Sequence, residues 1–228
     1  MITQIERSSQ PGNPRSGTFD RAFRDLGLLA LAVLLSACAS SSYGPGAGHF
    51  NTVIVDAGHG GHDRGARSVT GQAEKQFALD TARRLAKILR HKGFRVIETR
   101  PDDNFITLGN RVAISNRTGN AIFVSIHYNW ANRRGARGIE TYYYSHRSLR
   151  LAANIQNQAK RAYPTLDRGV KRNGYYVLRH NRRPAVLCEL GFLSNPQDNR
   201  YATSWLYRQR LAERIAAGII AEHRGQSP

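Results

Sequence analysis

Cysteine is almost missing from this chain: its 228 residues hold two, Cys38 and Cys188. So few thiols exclude a disulfide framework, and the fold must rest on a packed core instead. Long apolar runs are scarce as well. The longest, Leu26 to Leu35, is about half the length of a membrane-spanning helix. No internal repeat and no sustained heptad occurs, which excludes solenoids and coiled coils. Acidic residues are the third shortage, 16 against 34 lysines and arginines, for a formal net charge of +18. That balance selects anionic partners, whether nucleic acid, cell-envelope polymer or lipid headgroup.

The N-terminal segment chooses among them. Arg21 and Arg24 precede the apolar stretch, which ends in Leu35-Ser36-Ala37-Cys38 and continues into a Ser/Gly-rich ASSSYGPGAG. A basic start, a short apolar middle and small residues at the end read as a secretory signal. Its last four residues resemble the lipobox of bacterial lipoproteins, which implies cleavage before Cys38 and lipidation of that residue. The expected organisation is a signal peptide over 1–37, a tether over 38–49 and a folded domain over 50–224. Residues 39–48 give an rms reach of roughly 15–20 Å as a flexible chain. The expected location is the bacterial envelope, lipid-anchored through Cys38. Ala39 after the cysteine suggests outer-membrane sorting where an outer membrane exists. Export removes cytoplasmic nucleic acid as a partner. Four arginines and three acids precede Cys38, so the rest of the chain keeps +17 to present to envelope polymers and headgroups. An acylated Cys38 cannot pair with Cys188, which sits in an apolar run and reads as a small core hydrophobe.

From residue 50 onward, strand and helix patterns alternate. TVIVD (52–56), FRVIETR (94–100), AIFVSIHYN (121–129), GIETYYY (138–144), YYVLR (175–179) and PAVLCELGF (184–192) read as strands. Helices are expected over 72–92, 108–117, 147–163 and 204–223, the first with Ala78, Ala82, Leu85 and Leu89 on one face and Gly93 as its stop. Between Tyr163 and Tyr175 a short basic loop is expected. The alternation predicts one α/β domain built on a largely parallel, mixed sheet of about six strands with helices on both faces. Ligands in such folds bind beyond the carboxyl ends of the strands.

Chemistry-bearing residues collect at those ends. His59 follows the first strand in DAGHGG, His127 ends another in SIHYN, and Glu189 interrupts the apolar run VLCELGF. An unpaired carboxylate inside a buried strand costs several kcal/mol or takes up a proton, roughly speaking, unless it faces a metal, a base or a substrate. Glu74 begins the first long helix, where the helix dipole favours its charge. Two imidazoles and a carboxylate at one sheet edge supply the three protein ligands of a catalytic zinc, leaving one position open. Each residue taken singly has a plainer explanation: an ion pair for Glu189, a helix-start charge for Glu74, a core histidine for His127. Asp56 and Glu140 fit either an orienting role or a structural one. His62 reads as a solvated loop histidine, and His91, His146, His180 and His223 as carrying no chemistry.

DAGHGG, GQAEKQFALDTARRL, SIHYN, RGVKRNGYYVLR and PAVLCELGFLSNP occur in that order between about Val53 and Ile220. Together they resemble the zinc-dependent N-acetylmuramoyl-L-alanine amidases of bacterial cell-wall turnover. The resemblance implies His59, Glu74 and His127 as zinc ligands, Glu189 as the catalytic carboxylate, and peptidoglycan as substrate. The bond implied joins the lactyl group of N-acetylmuramic acid to the first L-alanine of the stem peptide. Ala57 departs from the proline often found in this motif, and Tyr128-Asn129-Trp130 from the smaller residues common after SIH. Some members of the family carry an inserted helix that plugs the site. Here the 61 residues between His127 and Glu189 are taken up by expected elements, so no activator protein is expected. The alternative of another class is a non-catalytic cell-wall-binding lipoprotein, and within enzymes the nearest rival is a zinc carboxypeptidase-like peptidase.

Overall fold

The computed structural model describes residues 46–228. The expected signal peptide, Cys38 and most of the tether lie outside the described residues. Six strands form one sheet: β1 (Thr52–Ala57), β2 (Arg95–Glu98), β3 (Ala121–Asn129), β4 (Ile139–Tyr143), β5 (Asp167–Arg172) and β6 (Ala185–Phe192). Their order is β2-β1-β3-β6-β4-β5. β2, β1, β3 and β6 run parallel, β4 is antiparallel to β6, and β5 is parallel to β4. The fold is the α/β domain with a mostly parallel, mixed sheet that the alternating pattern predicts.

Helices are α1 (Glu74–His91), α2 (Leu108–Arg117), α3 (Leu149–Ala159), α4 (Tyr176–Arg179), α5 (Pro196–Thr203) and α6 (Trp205–His223). A single 3-10 turn, His146–Ser148, leads into α3. Two expectations need correcting. YYVLR is not a strand: residues 176–179 form the one-turn helix α4, and the fifth strand is DRGVKR, within the stretch expected to be a basic loop. The aromatic, β-branched composition of YYVLR suggested a strand, but Val177 and Leu178 bury themselves beneath a single turn. β5 is a polar edge strand, exposed enough to carry Arg and Lys, and so lacks the apolar signature of its neighbours. Helix α5, started by Pro196 and capped by the Asn195 side chain, was not anticipated.

The two faces of the sheet are covered unequally. Val53, Val55, Ile122, Val124, Val186 and Cys188 point to one face, where Phe77, Leu85 and Leu89 of α1, Ile155 of α3 and Ile215 of α6 bury them in one large cluster. Ile54, Phe123 and Leu187 point to the other face, in a smaller cluster with Val112 of α2 and Val177 and Leu178 of α4, against which Ile97, Ile114, Tyr142 and Tyr144 also pack. Fully burying a side chain of this size stabilises by about 1.5–3 kcal/mol, so most of the fold's stability lies on the thick face. The thin face stops short at the carboxyl ends of β1, β3 and β6 and leaves a hollow there.

Candidate active site

Strand alternation sets the floor of that hollow. In β6, Val186, Cys188 and Leu190 belong to the thick face, so Leu187 and Glu189 fall on the thin one. Registration then places His127 of β3, Glu189 of β6 and Glu140 of β4 side by side in one row across three strands. Cys188 faces the other way, buried and unpaired, and burial pushes its thiol up to about 12. It is a core residue.

His59 arrives from the loop after β1. With Asn120 it is one of two non-glycine residues in the left-handed region among the described residues, with φ of 60°. Two buried arginines hold that loop. Arg100 donates to the carbonyls of Ala57 (2.9 Å) and Gly58 (2.7 Å), and Arg111 to those of Ala57 and His59, both at 2.6 Å. The Arg111 charge is balanced by Asp56 at 2.6 Å, which also accepts from Thr99 and Ser125. Asp56 therefore serves the loop's scaffold and touches neither histidine. The residue that orients His59 is Asp63, whose Oδ2 lies 2.9 Å from Nδ1. This leaves the other ring nitrogen, Nε2, facing Glu74 at 3.0 Å.

Glu74 is the centre of the cluster. Its Oε1 accepts from the Tyr128 amide at 3.0 Å and lies 2.9 Å from His127 Nδ1, while its Oε2 accepts from the Ala66 amide at 2.9 Å. Burial by itself would raise its pKa, but the hydrogen bonds to His127 and His59 and their charges hold it far below the usual carboxylate range. Burial likewise pulls down on His59, and hydrogen bonds to Glu74 and Asp63 outweigh it, so its pKa is raised. The His59 and His127 rings stand nearly perpendicular, centroids 4.8 Å apart. Ligating atoms of His59, Glu74 and His127 all lie within 4.8 Å of one another. Two nitrogens and one carboxylate oxygen are the donor set of an open zinc site. The space around them is kept by missing side chains. A Cβ on Gly58 would come within 2.3 Å of the His127 ring, and one on Gly65 within 2.6 Å of Glu74 Oε2. The residues present fit a divalent metal.

Glu189 is built differently. Its Oε2 is sealed from solvent and has no hydrogen-bond partner. Burial, with the charges of Glu74 and Glu140, raises its pKa well above the usual value. Glu140 is itself well matched: it accepts from Asn129, Tyr142 and Arg168 and pairs with Lys171. It is thus a salt-bridged neighbour of Glu189. His59, Glu74, His127 and Glu189 all line one cavity of about 670 Å³, walled on the thin face by Phe105, Leu108, Tyr175 and Tyr176. His62 is exposed and rests on Phe105, outside the cluster. His91, His146 and His180 are exposed and absent from the cavity lining, and His223 packs between Phe50 and Phe94.

Comparison with known proteins agrees with this geometry. Residues 53–221 match the family model described as N-acetylmuramoyl-L-alanine amidase. The probable cell wall amidase LytH of Staphylococcus epidermidis is 35% identical over 170 residues, covering 74% of this chain and 57% of LytH. Among solved structures, the catalytic domain of CwlV, an N-acetylmuramoyl-L-alanine amidase from Bacillus (Paenibacillus) polymyxa var. colistinus, superposes with a TM-score of 0.74 at 34% identity, covering 77% of this chain and 99% of that domain. The CwlD amidase of Clostridioides difficile, solved in complex with the GerS lipoprotein, gives a TM-score of 0.74 at 32% identity over 77% of this chain and 100% of CwlD. A core built for an open three-donor site, matched along most of its length to these enzymes, places the chain in the N-acetylmuramoyl-L-alanine amidase family.

Proposed function

We propose that this amidase is zinc-dependent, with His59, Glu74 and His127 holding the ion and Glu189 moving the proton. The observation that carries the reading is the unpartnered Oε2 of Glu189, in the same cavity as the three donors. Bound there, zinc supplies the Lewis acidity that makes an amide carbonyl and a water more reactive. The chain supplies the rest. Glu189, desolvated and flanked by negative charge, has a raised proton affinity, which suits a group that takes up and gives back a proton. It takes a proton from the attacking water and delivers it to the departing amine nitrogen of L-alanine. The C–N bond between the lactyl carbonyl and that nitrogen breaks, leaving a carboxylate on the sugar side and a free amine on the peptide. Asp63 keeps His59 in one ring orientation, and Arg100 and Arg111 keep its loop in the left-handed turn.

The proposal extends to the envelope. A signal ending before Cys38 and a lipid on that residue would hold the domain near a membrane, within reach of peptidoglycan. No activator is required in this reading. Between His127 and Glu189 the helices are α3, packed on β4, β5 and α6, and the single turn α4, which walls the cavity at Tyr176 and Val177. Purified peptidoglycan treated with the zinc-loaded protein alone should release stem peptides with free L-alanine amines. A chelator should stop the release and added zinc restore it. Cleavage within the stem peptide would indicate a peptidase instead, and dependence on a second protein would overturn the ungated reading.

A further inference from the structure

Phe105, Leu108, Trp130, Tyr175 and Tyr176 are exposed because they line the catalytic cavity. Trp205 and Leu206 have no such reason. They are the first two residues of α6, in the helical layer on the thick face, and leave 62% and 38% of their surfaces open to solvent. The Arg84 guanidinium of α1 stands 6.0 Å from the Trp205 ring centroid and donates to Gln209 of α6 at 2.9 Å. Trp205 thus heads the groove between α1 and α6, a hollow of about 630 Å³ lined by Arg84, Lys87, Ile88, His91, Lys92 and Gln209 and by no acid. The charge of the whole layer is one-sided. Lys87, Lys92, Arg161, Arg210 and Arg214 are exposed and make no ion pair among the described residues, whereas Arg84, Arg90, Arg150 and Arg208 do. Of the acids on α1, α3 and α6, Glu74 and Glu222 are buried and Asp80 is held by Arg84 and Arg208, so Glu213 alone faces solvent freely. In a chain of net charge +18 an unpaired base is ordinary. What points to a partner is that these bases share one layer with an exposed tryptophan–leucine pair, and that Leu206, Arg210 and Arg214 recur at helical spacing on one outward stripe.

We propose that the outward side of α1 and α6 is a docking surface for an anionic lipid bilayer, with Lys87, Lys92, Arg210 and Arg214 over the headgroups and Trp205 and Leu206 at the level of the interface. The inference concerns the domain's own surface and depends neither on a lipid at Cys38 nor on the reaction. Charge by itself would suit any polyanion. The apolar pair discriminates, because a tryptophan ring settles at the headgroup level of a membrane, and basic residues beside exposed Trp and Leu are the composition of helices that lie on one. Lysine and arginine stems cover apolar surface while carrying their charges out to phosphate. The placement agrees. α1 and α6 cover the thick face, whereas the catalytic cavity opens on the thin face, so a bilayer against these helices leaves the mouth of the cavity free. The segment that enters the domain also meets this layer: Ala47 N donates to Glu222 Oε1, in the last turn of α6, at 2.6 Å, and Arg150 of α3 holds the other oxygen.

The test uses the full chain carrying Trp130→Phe, which leaves Trp205 as its single tryptophan. The probes are vesicles of phosphatidylcholine, alone or mixed equally with phosphatidylglycerol, with bromine on their acyl chains. Bromine quenches tryptophan emission on contact, so the readout is the depth of Trp205 and not capture of the chain through its N-terminal segment. Trp205 should be quenched on the anionic vesicles and far less on the neutral ones, and added salt should relieve the quenching. Lys87→Gln/Lys92→Gln/Arg214→Gln should lower the apparent affinity roughly 100-fold. Leu206→Gln, which keeps every charge, should lower it about tenfold. Both variants change exposed side chains, and thermal unfolding near that of the parent establishes that the fold is kept. Equal quenching on the two vesicles, no quenching on either, or quenching that survives the triple change overturns the proposal. So does soluble polyphosphate bound as tightly as the anionic vesicles, with Leu206→Gln weakening neither, since the face is then a general polyanion surface.

Discussion

Glu74 opens helix α1 with both oxygens engaged, by two backbone amides and two imidazoles, and its charge is held firmly. Glu189, on the strand beside His127, has one oxygen sealed without a partner, and its proton affinity is raised. The two carboxylates share a cavity and differ in nearly every surrounding. One is an anion prepared for a cation; the other is a group whose charged state is costly and whose proton is therefore exchangeable. Enzymes that assign two carboxylates to different tasks separate them in this way, by environment rather than by residue type. Here the separation comes from the fold. A helix start and two amides serve Glu74, and a sheet row between His127 and Glu140, with the Glu74 charge nearby, serves Glu189.

Changes on the Glu74 side should act on metal content. His127→Ala removes one of three donors, and both bound zinc by elemental analysis and turnover should fall to background. A more modest break is Asp63→Asn, which weakens the group orienting His59 without removing a ligand. Zinc affinity measured by competition with a chelator should drop about 10- to 100-fold, with saturating zinc recovering most of the activity.

On the Glu189 side the expected effects are in protons. Glu140→Gln removes a neighbouring negative charge and leaves Arg168 and Lys171 unpaired, and both changes favour ionised Glu189. Because the base must be ionised in the free enzyme, the acid limb of kcat/KM should move to lower pH, by about one unit. An acid limb that stays in place, in a variant whose thermal unfolding is otherwise near wild type, would remove Glu140 from the account. Smallest of all is His62→Ala. Its exposed ring lies outside the donor cluster, so zinc content and kcat/KM should match wild type and stability should change by no more than about 0.5 kcal/mol.

How much of this was legible beforehand follows from residue type and period. The parallel core could be read because β1, β3 and β6 are buried on both faces and spell continuous apolar runs. Glu189 stood out against such a run, and the histidines against strand ends. β5 and α4 were exchanged because each depends on tertiary surroundings: a polar edge strand has no apolar signal, and one helical turn has no period. Arg100 and Arg111 could not be singled out in a chain of 34 lysines and arginines, since nothing in sequence marks which two are buried. Asp63 had a weak signal, four residues after His59 in the same glycine-rich loop. Asp56 was the more conspicuous candidate because it ends the first strand, yet it pairs with Arg111.

The claim that the two carboxylates divide metal binding from proton transfer has one direct measurement: zinc content and turnover of Glu74→Gln and Glu189→Gln, prepared side by side. Glu189→Gln should bind one zinc per chain, as wild type does, and release no stem peptide from peptidoglycan. Glu74→Gln should lose the zinc together with the activity. Full turnover by the Glu189 variant, or zinc lost equally from both, would contradict the division.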